Sequence, residues 1–130
     1  MRQLFSLLFV PSTASAWLIF MKNIAEIDKI QEICDNIVAV VNPLKVFLFG
    51  SFASGDYKES SDYDFFVVVS DKEKRRNIDI GRIIYAKTIS LSDRSLDIIV
   101  RNFSTYERMK FSSMSVESEV FKKGTLLYEK

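Results

Sequence analysis

The sequence predicts an α+β domain, on three observations. Two short apolar runs, Val46–Phe49 and Phe65–Val69, have strand length and are separated by a small, polar turn. Ahead of them, Ile24, Ile27, Ile30, Ile33, Ile37 and Val41 recur at intervals of three and four, the spacing of one helix face. After them, helical and strand-like stretches alternate to the end of the chain. At 130 residues, this is expected to be one domain with a real core.

Residues 1–20 are read as an extension to a domain spanning 21–130. Arg2, the apolar run Leu4–Val10 and Ala14-Ser15-Ala16 imitate a secretory signal with its cleavage site. The run is short, however, Pro11 interrupts it, and a second apolar patch starts at Trp17. It is also too short to span a bilayer. A loosely packed terminus, or a helix lying against the domain, is the expected outcome.

From Asn23 the pattern is helical, with Glu26, Asp28, Lys29, Gln31 and Glu32 mostly on the polar side. Asn42-Pro43 stops it, because proline disfavours helix in the residue before it. Lys45–Phe49 is the first strand and Asp62–Val69 the second. Beyond Asp64 the second is apolar on both sides, so it belongs in the middle of its sheet. Ser70-Asp71 is expected to cap a helix over Lys72–Lys87, with the charges from Lys72 to Arg76 on a solvated first turn. Leu91–Arg94 is a turn, and Ser95–Arg101 a third strand on which Asp97 shares a face with Ile99. Phe103–Lys110 and Ser115–Lys122 read as short helices. Gly124 ends the second, and Thr125–Tyr128 closes as a brief strand.

Composition removes several chemistries. The net charge of +1 argues against a nonspecific grip on nucleic-acid backbones. The chain has no histidine and one cysteine, which excludes Ser-His-Asp and Cys-His mechanisms and makes a zinc site a poor fit. Cys34 lies in the helical pattern beside Ile33, Ile37 and Val38, so it is expected to be a buried thiol.

What remains is a concentration of carboxylates around one turn. Asp62 and Asp64 lie two residues apart at the mouth of the second strand, so both project to one side, with Cα atoms roughly 7 Å apart. Gly50-Ser51 ends the preceding strand. Oxygen ligands beside a Gly-Ser turn suit a magnesium-bound nucleotide phosphate. Alone, an Asp-x-Asp is an ordinary loop-to-strand junction, and a Gly-Ser pair an ordinary turn. Asp97, flanked by Leu96 and Ile98 within an apolar strand, adds weight, because a carboxylate buried there would need a partner.

Taken together, Gly50-Ser51, Ala53-Ser54-Gly55, Ser61-Asp62-Tyr63-Asp64, Asp97 on a later strand and the ending Phe121–Glu129 resemble the nucleotidyltransferases of the polymerase-beta-like superfamily. More narrowly, they are similar to the minimal nucleotidyltransferase antitoxins of HEPN/MNT systems. The likeness covers roughly residues 21–130. It implies a small polymerase-beta-like fold, with a mixed sheet of three to four strands and helices packed mainly on one face. It implies Asp62, Asp64 and Asp97 as catalytic and metal-binding residues around two magnesium ions, with Gly50, Ser51 and Ser61 binding the nucleotide. ATP would be the substrate, and AMP would pass to a hydroxyl, by resemblance a tyrosine of a partner HEPN toxin, in the cytoplasm. Neither a membrane nor direct nucleic-acid binding is expected, and an oligomer is left open. The sequence departs from the family pattern at one place: the arginine usual in the turn is Ser54. Lys58, Arg94 and Arg101 are the cations near enough in sequence to take its place. A competing reading is a module of the same fold that neutralises a partner by binding alone.

Overall fold

The computed structural model describes residues 11–130. Helix α1 spans Ala14–Val41, opened by the Thr13 hydroxyl, which accepts the Ala16 N–H at 3.0 Å. It ends at Asn42, whose left-handed backbone returns its N–H to the Val38 carbonyl. Thus the helix starts nine residues before Asn23, because the Thr13 cap is followed by no breaker. It runs unbroken through the expected boundary at residue 21. Trp17, Leu18, Ile19 and Met21 are exposed on it, while its buried stripe begins only at Ile30 and continues through Ile33, Cys34, Ile37 and Val41. The signal-like run from Arg2 to Val10 lies outside the described residues.

Four strands follow in the mixed order β3-β2-β1-β4. They are β1 (Lys45–Phe49), β2 (Tyr63–Val69), β3 (Leu96–Asn102) and β4 (Thr125–Glu129). β1 is antiparallel to β2 and β4, and β2 is parallel to β3. As its apolar run predicts, β2 is interior to the sheet, and Phe65 through Val69 are at most 1% exposed. A one-turn helix α2 (Ser51–Ser54) follows β1, and α3 (Asn77–Thr88) links β2 to β3.

The two sheet faces differ. One carries Val46, Leu48, Phe65, Val67 and Val69 against the long helices α1 and α3. The other carries Phe47, Phe66 and Val68 against Tyr106 of α4 (Phe103–Met109) and Val120 of α5 (Val116–Lys123). These two short helices cover one end of their face, where the aromatic rings of Phe47, Phe66 and Tyr106 meet. Among the described residues no helix is long and apolar enough to cross a membrane.

One expectation needs correction. The helix expected from Lys72 begins at Asn77, with Arg76 as its cap residue. Ser70 and Asp71 serve other ends: the Ser70 hydroxyl accepts the Lys72 N–H, and the Asp71 carboxylate accepts the Ser104 N–H in the first turn of α4. The Glu73 carboxylate takes both the backbone N–H and the guanidinium of Arg75, folding the charge cluster into a turn. This is the local competition with helix that polar side chains offer. Gly124 caps α5 as expected, returning its N–H to the Val120 carbonyl from an extended backbone (φ −72°, ψ 160°). A Cβ there would stand 2.5 Å from the Val120 carbonyl oxygen, so close approach requires the glycine.

Candidate active site

The site forms where β1 ends and where β2 and β3 begin. In the parallel ladder Asp64 is paired with Asp97, so the two carboxylates leave the same face of the sheet on adjacent strands. Asp62 immediately precedes β2, near enough for its charge to act on Asp64. The face that Asp64 and Asp97 share is the one that α4 and α5 leave uncovered at this end. Asp62 and Asp97 are exposed and Asp64 is half-buried. Asp97 is therefore not held among apolar neighbours as its flanks suggest. Leu96 and Ile98 point to the other face, so burial does not demand a partner for it.

Electrostatics ties the three together. Burial, the Asp97 charge and then the Asp62 charge push the Asp64 carboxyl up to about 6, and a hydrogen bond with Asp97 adds to the shift. Among the described residues no three Asp, Glu, Cys or His side chains close to metal-ligating arrangement. Mutual repulsion of like charges opposes such closure.

Gly50 packs beneath Asp64. A Cβ on Gly50 would lie 2.1 Å from Asp64 Oδ2, and its φ of +71° with ψ of −151° is a conformation only glycine adopts readily. The bend puts Ser51 at the start of α2. The Ala53 and Ser54 N–H groups return to the Gly50 carbonyl, so those of Ser51 and Phe52, nearest the bend, are the ones suited to phosphate oxygens. The turn closes at Gly55, whose φ is +86° and whose N–H reaches the Ser51 carbonyl. The Ser54 hydroxyl stays within this turn, on the Ser51 carbonyl and the Asp56 carboxylate. Ser61 is occupied locally too: its hydroxyl accepts the Lys58 N–H at 2.8 Å.

Neither arginine near the turn in sequence is available to take the place of the one absent at position 54. Arg101 pairs with Glu117 on α5 at 2.8 Å. It lies four residues beyond Asp97 along β3, about 13 Å at strand rise. Arg94, with its side chain only 9% exposed, is turned away from the carboxylates toward α1. Its Nε and Nη2 grip Glu26, while Nη1 donates to the carbonyls of Lys58, Glu59 and Ser61 at 2.8, 2.9 and 3.0 Å. The guanidinium also lies over the rings of Phe52, Tyr57 and Tyr63.

Tyr57 and Tyr63 are packing residues. Tyr57 stacks on Phe52 with ring centroids 4.2 Å apart, and Tyr63 is 2% exposed and donates to Glu26. Burial, then that hydrogen bond and the Glu26 charge, raise the Tyr63 hydroxyl above its ordinary range. Burial pushes Glu26 up, but hydrogen bonds from Arg94 and Tyr63 prevail and hold it below the usual carboxylate range. A sequence signal for Glu26 existed. It stands four and seven residues before Ile30 and Ile33, which places a charge on the buried stripe of α1.

The donor set is all oxygen, converges on one face and has a glycine cradle at its centre, so it fits a hard divalent cation. The profile described as "Polymerase beta, Nucleotidyltransferase" matches residues 28–130. A Methanocaldococcus jannaschii protein named "Putative protein adenylyltransferase MJ0141" is 41% identical over a stretch covering 37% of this chain. That stretch is 65% of the relative's own length, just under two thirds. Two solved structures, each 20% identical, share the fold. A nucleotidyltransferase from Sulfolobus solfataricus, described as putative, superposes with a TM-score of 0.55 over 85% of this chain and 86% of its own. A chain of a structure described as "the toxin-antitoxin with AMP-PNP" does so with a TM-score of 0.56 over 77% and 73%. The profile spans most of the chain and takes in every strand and all three aspartates: the chain belongs to the polymerase-beta nucleotidyltransferase family.

Proposed function

We propose that this protein is a magnesium-dependent adenylyltransferase that moves AMP from ATP onto a hydroxyl, a tyrosine of a partner HEPN toxin, and so acts as a cytoplasmic antitoxin. The observation that carries the reading is the parallel register of Asp64 with Asp97 above Gly50. The similarity to a protein adenylyltransferase and to a toxin–antitoxin structure with an ATP analogue supports the acceptor class.

Asp62 and Asp64 would hold magnesium at the triphosphate, and Asp97 would join them on the acceptor side. Magnesium supplies charge neutralisation for the departing pyrophosphate and acidifies the attacking hydroxyl. The Gly50-Ser51 bend brings backbone close to the phosphates without a Cβ in the way. The bond from the acceptor oxygen to the α-phosphorus forms as the bond to pyrophosphate breaks, and the hydroxyl proton passes to an Asp97 carboxylate oxygen. The half-buried Asp64 must be ionised to serve, and a cation beside it favours that form.

One observation favours a second reading, that of a binding module with a weak metal site. Ser54 replaces the family arginine, and Arg94 and Arg101 are both engaged elsewhere. The loss of one charge-assisted phosphate contact amounts to about 1.5–3 kcal/mol. Incubation with labelled ATP, magnesium and the toxin encoded alongside separates the two. Label transfer that falls more than about 100-fold in Asp62→Asn and Asp64→Asn supports the enzyme, given the several kcal/mol that metal-assisted charge stabilisation supplies. Toxin neutralisation that survives both substitutions supports the module.

A further inference from the structure

The loop that delivers the aspartates has almost no regular structure of its own. Between α2 and β2, residues 55–62 contain turns only. Within it, the Ser61 N–H reaches the Lys58 carbonyl and the Lys58 N–H reaches the Ser61 hydroxyl. Such a closed turn keeps its own shape but does not fix its position on the domain. Something outside the loop must do that, because a shift of the turn carries Asp62 and Asp64 with it.

The geometry points to Arg94 as the positioning residue of the acidic site. This inference rests on reading Asp62, Asp64 and Asp97 as the metal site. A single guanidinium gathers three consecutive-turn carbonyls, those of Lys58, Glu59 and Ser61, on one nitrogen. Its other edge is forked onto Glu26 of α1, where the Tyr63 hydroxyl also donates. Above it lie Phe52 of α2 and Tyr57 of the loop, stacked with an interplanar angle of 12°. Two further links, Lys22 to Glu59 and Tyr57 to Asn23, join the same loop to the same stretch of α1.

Arg94 therefore connects four pieces of chain: the domain's longest helix, the phosphate-side turn, the loop and the entry to β3. It stands three residues before Asp97 on that entry, so one side chain sets the position of both strands that carry carboxylates. The Tyr63 N–H bonds the Ser95 carbonyl at 3.0 Å, which zips the two strands together immediately beside it. Only arginine can do this. Five N–H donors in a planar fork reach a carboxylate and a carbonyl cluster at once, whereas a lysine ammonium offers three donors from one point. Arg94 thus has a different task from a phosphate-binding arginine in the turn, and it acts through the loop without touching substrate.

The test uses the purified full chain with Mn2+ and a non-hydrolysable ATP analogue, with free Mn2+ read by electron paramagnetic resonance. Arg94→Lys should remain folded yet bind Mn2+ about 10–100-fold more weakly, the usual effect of losing a partner that orients a metal ligand. In transfer assays excess magnesium should recover most of the rate, and hydrogen exchange over residues 58–61 should quicken. Should Arg94→Lys fail to fold, Glu26→Gln, which keeps the shape and removes the charge, carries the same measurements. A folded variant with wild-type Mn2+ affinity overturns the inference. Weaker Mn2+ binding with unchanged exchange over 58–61 also overturns it, because Arg94 would then act on the metal site directly. If the wild type itself bound no Mn2+, the transferase reading and this inference would both fall.

Discussion

β2 is entered and left through loops that look alike in sequence and behave differently in the fold. The entry loop, Gly55–Asp62, and the exit loop, Ser70–Arg76, are both short, polar and charged. The entry loop is pinned from outside by a nearly buried arginine that reaches 68 residues back to Glu26. The exit loop has a single outward tie, the Asp71 carboxylate to the Ser104 N–H, and its ion pairs are local. Glu73 pairs with Arg75 two residues on, and Arg76, its own side chain three-quarters exposed, pairs with Asp79 in the first turn of α3. Exposed pairs of this kind contribute little to stability. The contrast shows where position matters. At the entry, carboxylates must meet those of a neighbouring strand, while the exit has only to turn the chain.

Mutating each loop's anchor should separate them. Glu26→Ala would leave the Arg94 guanidinium without its counter-ion, and breaking such a pair costs about 3 kcal/mol, the lower end for buried ion pairs. Denaturant unfolding would show it as a lower midpoint with an unchanged slope. The pH dependence has a fixed sign. Glu26 is held below its unfolded pKa, so its contribution is fully present above about 4.5 and is lost as pH falls through the folded value. The stability difference between wild type and Glu26→Gln should therefore shrink on acidification below pH 4.5. Arg75→Ala in the exit loop is the control and the smallest effect, with no measurable change in unfolding temperature or in label transfer. An exit-loop substitution as damaging as the entry-loop one would erase the distinction.

Much of this was legible in the sequence, and what was not has physical reasons. The Ile stripe of α1 and the double-sided apolar run of β2 follow from local periodicity, which tertiary contacts did not override. That Asp97 aligns with Asp64 could be expected only from the family resemblance, since parallel register is set by strands 33 residues apart. The role of Arg94 was out of reach for the same reason: its partners lie at Glu26 and at the carbonyls of 58–61, and main-chain carbonyls leave no trace in composition. The start of α3 was misplaced because Ser70 and Asp71 are good caps that cap something else. Gly124 caps α5 as expected, but the close approach of Val120 and Leu48 that also demands a glycine there leaves no mark in the sequence.

Whether Asp64 and Asp97 form one cation site is decided by thermal unfolding of Asp97→Asn with and without magnesium and a non-hydrolysable ATP analogue. Asp64 is raised to about 6, so the metal-free wild type loses stability as pH rises from about 4 to 6 and carries the full penalty at pH 7. At pH 7 without metal the variant should unfold at a higher temperature than wild type, and it should gain nothing when magnesium and nucleotide are added. A variant that is no more stable without metal, yet is stabilised by magnesium and nucleotide as much as wild type, would contradict a shared site.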